Sequence, residues 1–227
     1  MGYYRPNHLV GIENMMSYSV EEKFSLIGGI VLEKEKLSES ISKSWSSGPD
    51  EIPPSPPRPD TLTNNLLSIY LQGQLHIVKG LQFTAGTRYD SSDYYGHVLT
   101  PRLALVYNKN RFTGKVLFAE AYRAPKPWDY TVSAGNPNLE PEDMTSLELS
   151  AAYNFSQNLR LDLSAYRNRM KNVFSKETLE DGYRWINRGQ LNTDGIETSL
   201  EFRKGRFKSY CNYTYNFSTD ENGDIIP

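Results

Sequence analysis

Side chains in this sequence alternate between apolar and polar, residue by residue, over segments of about ten residues. The clearest segment runs from Ser146 to Ser156, and only Ala152 breaks its pattern. Its apolar residues are Leu147, Leu149, Ala151, Tyr153 and Phe155. A β-strand has a side-chain period of two, so such a segment has one apolar and one polar face. The alternation, repeated along the chain, predicts an antiparallel membrane β-barrel with lipid outside and water inside.

The composition excludes several other classes of protein. The 227 residues suffice for one large domain or two small ones, and their net charge is -2. Nucleic-acid-binding proteins carry basic patches, so we expect no nucleic-acid partner. No apolar run approaches the roughly 18 residues of a membrane-spanning helix, which excludes a helical bundle in a membrane. The 16 tyrosines and 9 phenylalanines suit β-strands and the aromatic girdles of barrels.

Cysteine and histidine usage gives no sign of a metal site or a cofactor. Cys211 is the only cysteine, so an intrachain disulfide is impossible. The three histidines, at positions 8, 76 and 97, lack the spacing of metal ligands. The first residues contain no apolar signal-peptide core. The chain is therefore expected to be either a soluble protein or the interior of a longer one.

The alternating segments predict about ten strands, near residues 8–18, 23–34, 63–77, 80–90, 101–108, 111–122, 143–156, 158–172, 184–203 and 206–217. Short connections between these strands alternate with medium or long ones. The medium and long connections lie at 35–62, 91–100, 123–142 and 172–183. In an up-and-down sheet this parity places all tight turns at one end. Barrels of the outer membrane have short periplasmic turns and long extracellular loops. The proline-rich run 53–59 cannot be a central strand, so we interpret it as a surface loop.

Two sequence boxes resemble the barrel of TonB-dependent outer-membrane receptors. The first is an aromatic-Arg-Ala-Pro box formed by Tyr122, Arg123, Ala124 and Pro125. The second reads Asn-Pro-Asn-Leu-x-Pro-Glu and comprises Asn136, Pro137, Asn138, Leu139, Pro141 and Glu142. Further on, the stretch that ends in Gly195 and Glu197 is similar to a third family feature. The resemblance is sharp over about 118–203.

Elementary chemistry gives these boxes a structural role as anchors of loops. Pro125 cannot continue a strand ladder, and Asn136 and Pro137 suit a turn. Gly195 permits a close approach or a bulge. We expect Arg123 to pair with Glu140 or Glu142 across the base of the loop.

The family resemblance implies uptake of a scarce ligand, with a ferric siderophore as the expected one. Exposed loop aromatics are suitable contacts for it, although loop packing or an interfacial belt would explain them equally. The candidates are Trp45, Tyr94, Tyr95, Trp128 and Tyr130. Haem-uptake members of the family carry a histidine between the two boxes. Residues 126–135 contain none, which argues against haem.

The family joins a plug domain to a 22-stranded barrel, whereas only about ten strands are predicted here. The whole of 1–227 is therefore expected to be part of such a barrel, without the plug and without the segment that contacts the TonB complex. The expected fold is all-β, an antiparallel up-and-down portion of a transmembrane barrel. The expected location is the outer membrane of a Gram-negative-type bacterium, in contact with its lipid.

Three other functions remain open at this point. A passive pore or an adhesin barrel has the same composition, but the two boxes favour a receptor. A truncated, non-functional fragment of a receptor would also account for the small number of strands. A soluble all-β enzyme would require paired carboxylates, but charged residues are ordinary in a barrel lumen. Neither a Gly-x-Ser-x-Gly elbow nor a phosphate loop occurs. We therefore expect no enzymatic activity.

Overall fold

The structure is a computed structural model that describes residues 2–4, 7–38, 41–43, 61–126, 129–131 and 133–226. Within these ranges the chain forms short and long β-strands, numbered here in chain order. They are β1 (Gly2–Tyr4), β2 (His8–Val20), β3 (Phe24–Ser38), β4 (Ile41–Lys43), β5 (Thr61–Val78), β6 (Leu81–Ser92), β7 (Gly96–Lys109), β8 (Phe112–Arg123), β9 (Glu142–Asn154), β10 (Leu159–Lys171), β11 (Phe174–Leu179), β12 (Gly182–Asn187), β13 (Gln190–Lys204), β14 (Phe207–Thr219) and β15 (Ile225–Ile226). Within the described residues, no helix is long and apolar enough to span a membrane.

The long strands form one antiparallel sheet whose order follows the chain. The sheet contains 11 strands in the order β15-β14-β13-β10-β9-β8-β7-β6-β5-β3-β2. Two small sheets lie outside it, formed by β1 with β4 and by β11 with β12. The strand pairing is continuous except for one register shift between His76 and Val78. The predicted all-β, antiparallel up-and-down architecture is confirmed.

The largest difference from the predicted segments lies between β10 and β13. The segment predicted as a single strand over 184–203 consists of β12 and β13, separated by Arg188 and Gly189. The chain turns there because the Arg188 N–H donates to the Val173 carbonyl at 2.8 Å. Strand β11 occupies part of a connection that the sequence predicted as a loop. Together β11 and β12 form a hairpin between β10 and β13.

The predicted alternation of short and long connections is present, with one exception. One end of the sheet has the tight turns, at 21–23, 79–80, 110–111, 155–158 and 205–206. The other end carries the long connections 124–141 and 172–189. We call these the tight-turn end and the long-loop end. The connection predicted at 91–100 is shorter than expected, because β6 and β7 pair up to Ser92 and Gly96 and leave only 93–95 between them.

One face of the sheet is apolar and exposed. The register aligns outward side chains across neighbouring strands, as in the row Val116, Leu149, Ala165 and Ile196. Leu149 is 61% and Ile196 53% exposed. A soluble protein rarely leaves so large an apolar surface in water, whereas a barrel presents it to lipid. Aromatic rings cluster on this face towards the tight-turn end, where Tyr107 contacts Phe112 and Tyr153 contacts Phe155.

The opposite face is polar and forms the inner wall. Arg160 and Asp162 form an ion pair of 2.6 Å on it, and Arg203 pairs with Glu201. The most deeply buried side chains of the described residues are also polar: Glu142, Asp90 and Ser68. They lie near the long-loop end, so that end is the most tightly packed region of the sheet.

Candidate functional site

The Arg-Ala-Pro box and the Asn-Pro-Asn box meet at the base of the 124–141 connection. Arg123 ends β8 and Glu142 begins β9, and the two residues are opposite each other in the sheet. The Glu142 side chain is 1% exposed, and its Oε2 forms an ion pair with Arg123 Nε. Its Oε1 accepts a hydrogen bond of 2.7 Å from the Phe174 N–H. The structure thus pairs Arg123 with Glu142, one of the two partners expected from the sequence.

The glutamate also ties the 172–189 connection to the sheet. Phe174 begins β11, and the Arg123 guanidinium lies over its ring at 5.3 Å from the centroid. A single buried carboxylate therefore holds three segments together: the end of β8, the start of β9 and the start of the hairpin. Such a charge is tolerated in a buried position only when it is paired and hydrogen-bonded, as it is here.

The Asn-Pro-Asn box forms a turn that is anchored by its own backbone and by the hairpin. The Asn136 N–H donates to the Tyr130 carbonyl at 3.0 Å, and its side-chain amide donates to the Trp185 carbonyl at 2.8 Å. Asn136 Oδ1 accepts from the Asn138 N–H at 3.1 Å, an Asx turn. Leu139 is 3% exposed, and its burial fixes the return of the chain to β9. Pro137 is exposed and Pro141 is buried at that return.

Asn187, at the end of β12, joins the two long connections. Its Nδ2 donates to the carbonyls of Glu140 at 2.8 Å and Asn172 at 2.9 Å. Its Oδ1 accepts from the Glu140 N–H at 2.8 Å. Further out, the Ala134 N–H donates to the Tyr183 carbonyl at 3.1 Å. The 124–141 connection and the β11–β12 hairpin therefore pack together as one unit.

A second cluster contains four tyrosines from three segments. The rings of Tyr94 and Tyr130 lie 5.6 Å apart, as do those of Tyr95 and Tyr122. The hydroxyls of Tyr95 and Tyr122 are 3.0 Å apart. The Tyr122 hydroxyl donates to Asp90 Oδ2 at 3.0 Å. We call these four residues the tyrosine cluster.

Asp90 supports the tyrosine cluster from the inner wall. It is 1% exposed, and Arg88 Nε contacts both of its oxygens at 2.9 and 3.0 Å. The guanidinium also donates to the buried Ser68 hydroxyl at 2.7 Å. The negative charge of Asp90 is therefore neutralised by Arg88 on its own strand. Because the buried charge is paired, Asp90 can accept the hydrogen bond of the Tyr122 hydroxyl without the cost of an isolated buried carboxylate.

The loop tyrosines remain protonated well above neutral pH. Burial raises the pKa of Tyr130 to about 12, and the neighbouring Tyr95 and Asp129 add to the effect. Burial also raises the pKa of Tyr95, and burial together with Asp93 raises that of Tyr94. Neutral phenols donate hydrogen bonds and offer ring faces, which is the chemistry of ligand recognition and not of proton transfer near pH 7.

The structure places the five predicted ligand contacts in different environments. Trp45 and Trp128 lie outside the described residues. Tyr94 and Tyr95 are half-buried at the rim between β6 and β7. Tyr130 is only 8% exposed, and its hydroxyl has no hydrogen-bond partner among the described residues. Of the three described candidates, Tyr94 and Tyr95 are therefore the accessible ones, and Tyr130 packs beneath Tyr94.

The remaining motif residues belong to the wall. A Cβ atom at Gly195 would overlap the ring of Tyr166, which is directly opposite on β10. The glycine therefore makes room for an aromatic side chain that lies across it. Glu197 is an exposed residue of the inner wall, opposite Ser164 and Thr214. Ala124 and Pro125 end β8, as expected from the lack of a proline donor.

Several contributors to the site were not identified from the sequence. Asp90, Arg88 and Ser68 come from adjacent strands, and their contacts follow from the register. Asn187 precedes Gly195 and Glu197 in the third family feature, and the sequence assigns it no role of its own. No alternation pattern marks a residue whose partners lie about 50 positions away. Among the described residues, no group of three or more histidines, cysteines or acidic side chains is arranged to hold a metal ion.

Comparison with known proteins identifies the barrel. The family described as "TonB dependent receptor-like, beta-barrel" matches residues 20–226. The vitamin B12 transporter BtuB of Vibrio cholerae is 28% identical over 144 residues, which are 63% of this chain and 23% of that protein. The iron-regulated outer membrane virulence protein of the same species is 24% identical over 238 residues, 94% of this chain and 33% of that protein. The chain thus spans about a quarter to a third of these relatives.

Solved structures share the fold. The ferric enterobactin receptor PfeA of Pseudomonas aeruginosa superposes with a TM-score of 0.73 at 19% identity, over 99% of this chain and 38% of PfeA. The siderophore receptor PirA of the same species gives 0.71 at 20% identity, over 94% and 42%. The resemblance seen in the sequence boxes and the predicted outer-membrane location are both confirmed. The chain belongs to the TonB-dependent receptor β-barrel family of receptors and transporters.

Proposed function

We propose that residues 1–227 form part of the barrel of an outer-membrane receptor that takes up a scarce ligand, a ferric siderophore, with energy supplied through the TonB complex. The chain contributes wall strands and outer loops to this task. It makes and breaks no covalent bond, and the ferric ion is cargo rather than a resident cofactor.

The organisation of the long-loop end is the observation that carries this proposal. A structural wall needs only tight turns, as the opposite end demonstrates. Here, buried Glu142 and Asp90 instead fix a set of loops that hold aromatic rings at the rim. Tyr94 and Tyr95 project from a three-residue turn, so a ligand meets them with little loss of loop entropy.

Each predicted contact has a defined task in this proposal. Tyr94 and Tyr95 contact the ligand through ring faces and hydroxyls, and Tyr130 supports Tyr94 from below. Trp45 and Trp128 are further contacts predicted from the sequence. The two boxes, from Tyr122 to Pro125 and from Asn136 to Glu142, hold the loops in place and do not touch the ligand.

Uptake by the complete receptor tests the proposal. Cells that express the receptor containing this chain as their only route for iron are supplied with radiolabelled ferric siderophores of the catecholate and hydroxamate classes. The double variant Tyr94→Ala/Tyr95→Ala is compared with Tyr210→Ala, which is 78% exposed and lies far from the loops. We expect at least about thirtyfold weaker binding for the double variant and unchanged binding for the control, since two contacts in a binding hot spot contribute about 1 kcal/mol or more each.

Cobalamin is a second candidate ligand, favoured by the 28% identity with BtuB. Radiolabelled cobalamin in the same assay separates the two ligands. A passive pore is distinguished by energy dependence, because dissipation of the proton motive force stops uptake by a TonB-dependent receptor and leaves diffusion unchanged. Uptake of both ligand classes that persists without the force contradicts the proposal.

A further inference from the structure

The apolar face of the sheet contains a groove of about 470 Å³ that extends from β7 to β13. Its floor is formed by Gly114, Ala151 and Ala165. Gly114 and Ala151 are directly opposite each other in the sheet, and Ala165 lies on the next strand, opposite Leu149. The register places all three on the same face as Val116 and Leu149. Three small residues therefore leave a depression in a face that otherwise carries large apolar side chains.

Large apolar and aromatic side chains border the groove on both sides. Leu105 and Tyr107 of β7 lie along one side, and Leu163 of β10 and Ile196 of β13 lie along the other. Tyr107 is 38% and Leu163 44% exposed, so these residues are in contact with the surroundings of the barrel. The side chains on this face offer a long apolar surface to a hydrocarbon chain.

The groove lies in the half of the membrane next to the tight-turn end. It begins at Phe112, the first residue of β8, and reaches Val116, the fifth (112 to 116). A tilted strand crosses the hydrocarbon layer in about 9–11 residues, so these positions cover about half of it. The short turns of outer-membrane barrels are periplasmic. The groove therefore faces the inner leaflet of the outer membrane.

Hydrocarbon is the chemistry that fills such a groove. Apolar cavities do not hold water, because water needs polar partners to form its hydrogen bonds. An empty groove would deprive its lining of dispersion contacts. The acyl chain of a neighbouring lipid supplies these contacts, and its flexibility lets it follow the depression.

A basic turn lies at the end of the groove. Lys109 is directly opposite Phe112 in the sheet, and Arg111 immediately precedes Phe112. Both basic side chains are exposed. Arg111 Nη1 donates to the Phe155 carbonyl at 2.9 Å, which holds the guanidinium close to the sheet. Within the part of the chain that the structure describes, neither Lys109 nor Arg111 forms an ion pair.

The two neighbouring turns carry no acidic residue. On one side, the turn between β5 and β6 consists of Lys79 and Gly80. On the other side, the turn between β9 and β10 is 155–158, with the sequence Phe-Ser-Gln-Asn. The surface at the end of the groove is therefore positively charged, at the height where the headgroups of the inner leaflet lie.

We propose that the groove binds one acyl chain of an anionic glycerophospholipid of the inner leaflet, with the lipid phosphate at Lys109 and Arg111. Guanidinium and ammonium groups are the usual protein partners of phosphate, and basic side chains at a membrane surface attract anionic headgroups. A zwitterionic lipid fits less well, because the three turns offer no carboxylate to its ammonium group. The site is far from the loops of the long-loop end and is independent of the transported ligand.

A second turn of nearly the same sequence supplies a matched control for the headgroup. Lys204-Gly205-Arg206-Phe207 repeats the order Lys109-Asn110-Arg111-Phe112, and Lys204 is directly opposite Phe207. Strand β14, which follows this turn, does not line the groove. The second turn therefore has the same basic side chains without the groove.

Ala85 supplies the matched control for the floor of the groove. It is opposite Leu103, an exposed residue of the apolar face, and it does not line the groove. Replacement of Ala85 by leucine thus adds the same apolar volume to the same face at a different place.

The experiment measures phospholipid binding by the purified, complete receptor in detergent. The probes are phosphatidylglycerol and phosphatidylethanolamine that carry a photoreactive diazirine in the middle of one acyl chain. Native mass spectrometry quantifies the bound lipid, and peptide mapping after illumination locates the crosslink. The variants are Ala151→Leu/Ala165→Leu and Lys109→Gln/Arg111→Gln, with Ala85→Leu and Lys204→Gln/Arg206→Gln as their controls. All must show the heat-modifiable mobility of a folded barrel.

We expect crosslinks in β8, β9 and β10 at the floor of the groove, and tighter binding of phosphatidylglycerol than of phosphatidylethanolamine. Filling of the groove should weaken phosphatidylglycerol binding at least about tenfold, since each buried CH₂ group contributes about fourfold. Loss of Lys109 and Arg111 should weaken it about thirtyfold, at about fivefold for each basic side chain. The two controls should bind as the unchanged receptor does.

Two results would overturn the proposal. Crosslinks spread evenly over the apolar face would identify only the general lipid layer around the barrel, as would equal losses in the variants and their controls. Unchanged binding after the groove is filled would exclude the groove as the place of the acyl chain. If either double variant fails to fold, Ala165→Leu or Lys109→Gln alone provides the same comparison with a smaller expected loss.

Discussion

The two ends of the sheet are stabilised in different ways. At the tight-turn end, backbone groups close turns of a few residues: the Lys23 N–H donates to the Val20 carbonyl at 3.2 Å, and the Ser156 N–H donates to the Leu159 carbonyl at 3.4 Å. At the long-loop end, side chains do this work, and Glu142 and Asn187 each contact more than one segment. The first kind of contact is local in sequence, whereas the second joins residues 15 to 47 positions apart.

The difference implies that the two ends respond differently to mutation. A turn that is closed by backbone hydrogen bonds tolerates most side-chain substitutions. A loop that is held by one buried carboxylate does not tolerate substitution of that carboxylate.

Removal of the buried carboxylate should have the largest effect. We expect Glu142→Ala to lower the free energy of unfolding by about 3 kcal/mol, because it leaves the half-buried Phe174 N–H without an acceptor and Arg123 without a partner. Arg123→Ala should cost less, about 2 kcal/mol: it leaves the buried Glu142 carboxylate without its ion pair, but the arginine is 67% exposed, so water can partly take its place. Urea titration of the receptor refolded in detergent measures both values.

The exposed glutamate of the same box is the control for that experiment. Glu140 is exposed, and its backbone, not its side chain, makes the hydrogen bonds to Asn187. Glu140→Ala should therefore change the unfolding free energy by less than about 0.5 kcal/mol. Equal losses for the two glutamates would show that side-chain anchoring does not distinguish the long-loop end.

A smaller effect is expected where the wall meets the loops. Gly195→Val should lower the unfolding free energy by about 2 kcal/mol, because the new side chain occupies the space of the Tyr166 ring. Valine is otherwise favoured in strands. The same substitution in a Tyr166→Ala background should cost less than about 0.5 kcal/mol. A double-mutant cycle without coupling between the two sites would exclude the close approach as the reason for glycine.

The link between the two long connections should contribute least to global stability. Asn187→Ala removes hydrogen bonds to Glu140 and Asn172 and should lower the unfolding free energy by about 1 kcal/mol. Its main effect should be local, as faster hydrogen exchange in β11 and β12. Asn138→Ala, at an exposed position of the 124–141 connection, is the matched substitution and should leave the exchange unchanged. Similar exchange in the two variants would mean that the connections do not act as one unit.

The sequence predicted the wall better than the site, for a physical reason. Strand alternation is a local signal, so segments such as 143–156 and 158–172 correspond closely to β9 and β10. The proline of the first box correctly marked the end of β8. The break at Arg188 was missed because the residues on both sides still alternate, and only the contact with Val173 separates the two strands.

The anchors of the site depend on distances that a single sequence does not contain. Pairing of Arg123 with Glu140 or Glu142 was predicted because the loop between them returns to its starting point, and the structure shows Glu142 as the partner. The role of Asp90 was not predicted, since its partner Tyr122 lies 32 positions away and on a strand that is not adjacent to the strand of Asp90. The exposure of a side chain also depends on contacts between distant residues. The sequence shows Tyr130 only as an aromatic residue in a loop, whereas in the structure it is buried against Tyr94.

The burial of Tyr130 gives the last prediction, which concerns alkaline pH only. Burial raises the pKa of Tyr130 to about 12, above its value of about 10 in an unfolded chain. Its phenol therefore favours the folded state below pH 10, and this contribution is lost as the pH rises from about 10 to 12. The difference in unfolding free energy between the unchanged receptor and Tyr130→Phe should be constant from pH 6 to 9 and fall above pH 10. Ultraviolet absorbance should show one tyrosine fewer titrating near pH 12 in the variant. A parallel pH dependence of the two proteins would mean that Tyr130 is in contact with solvent. The long-loop end would then not be held together by packed side chains, and the contrast with the tight-turn end would fail.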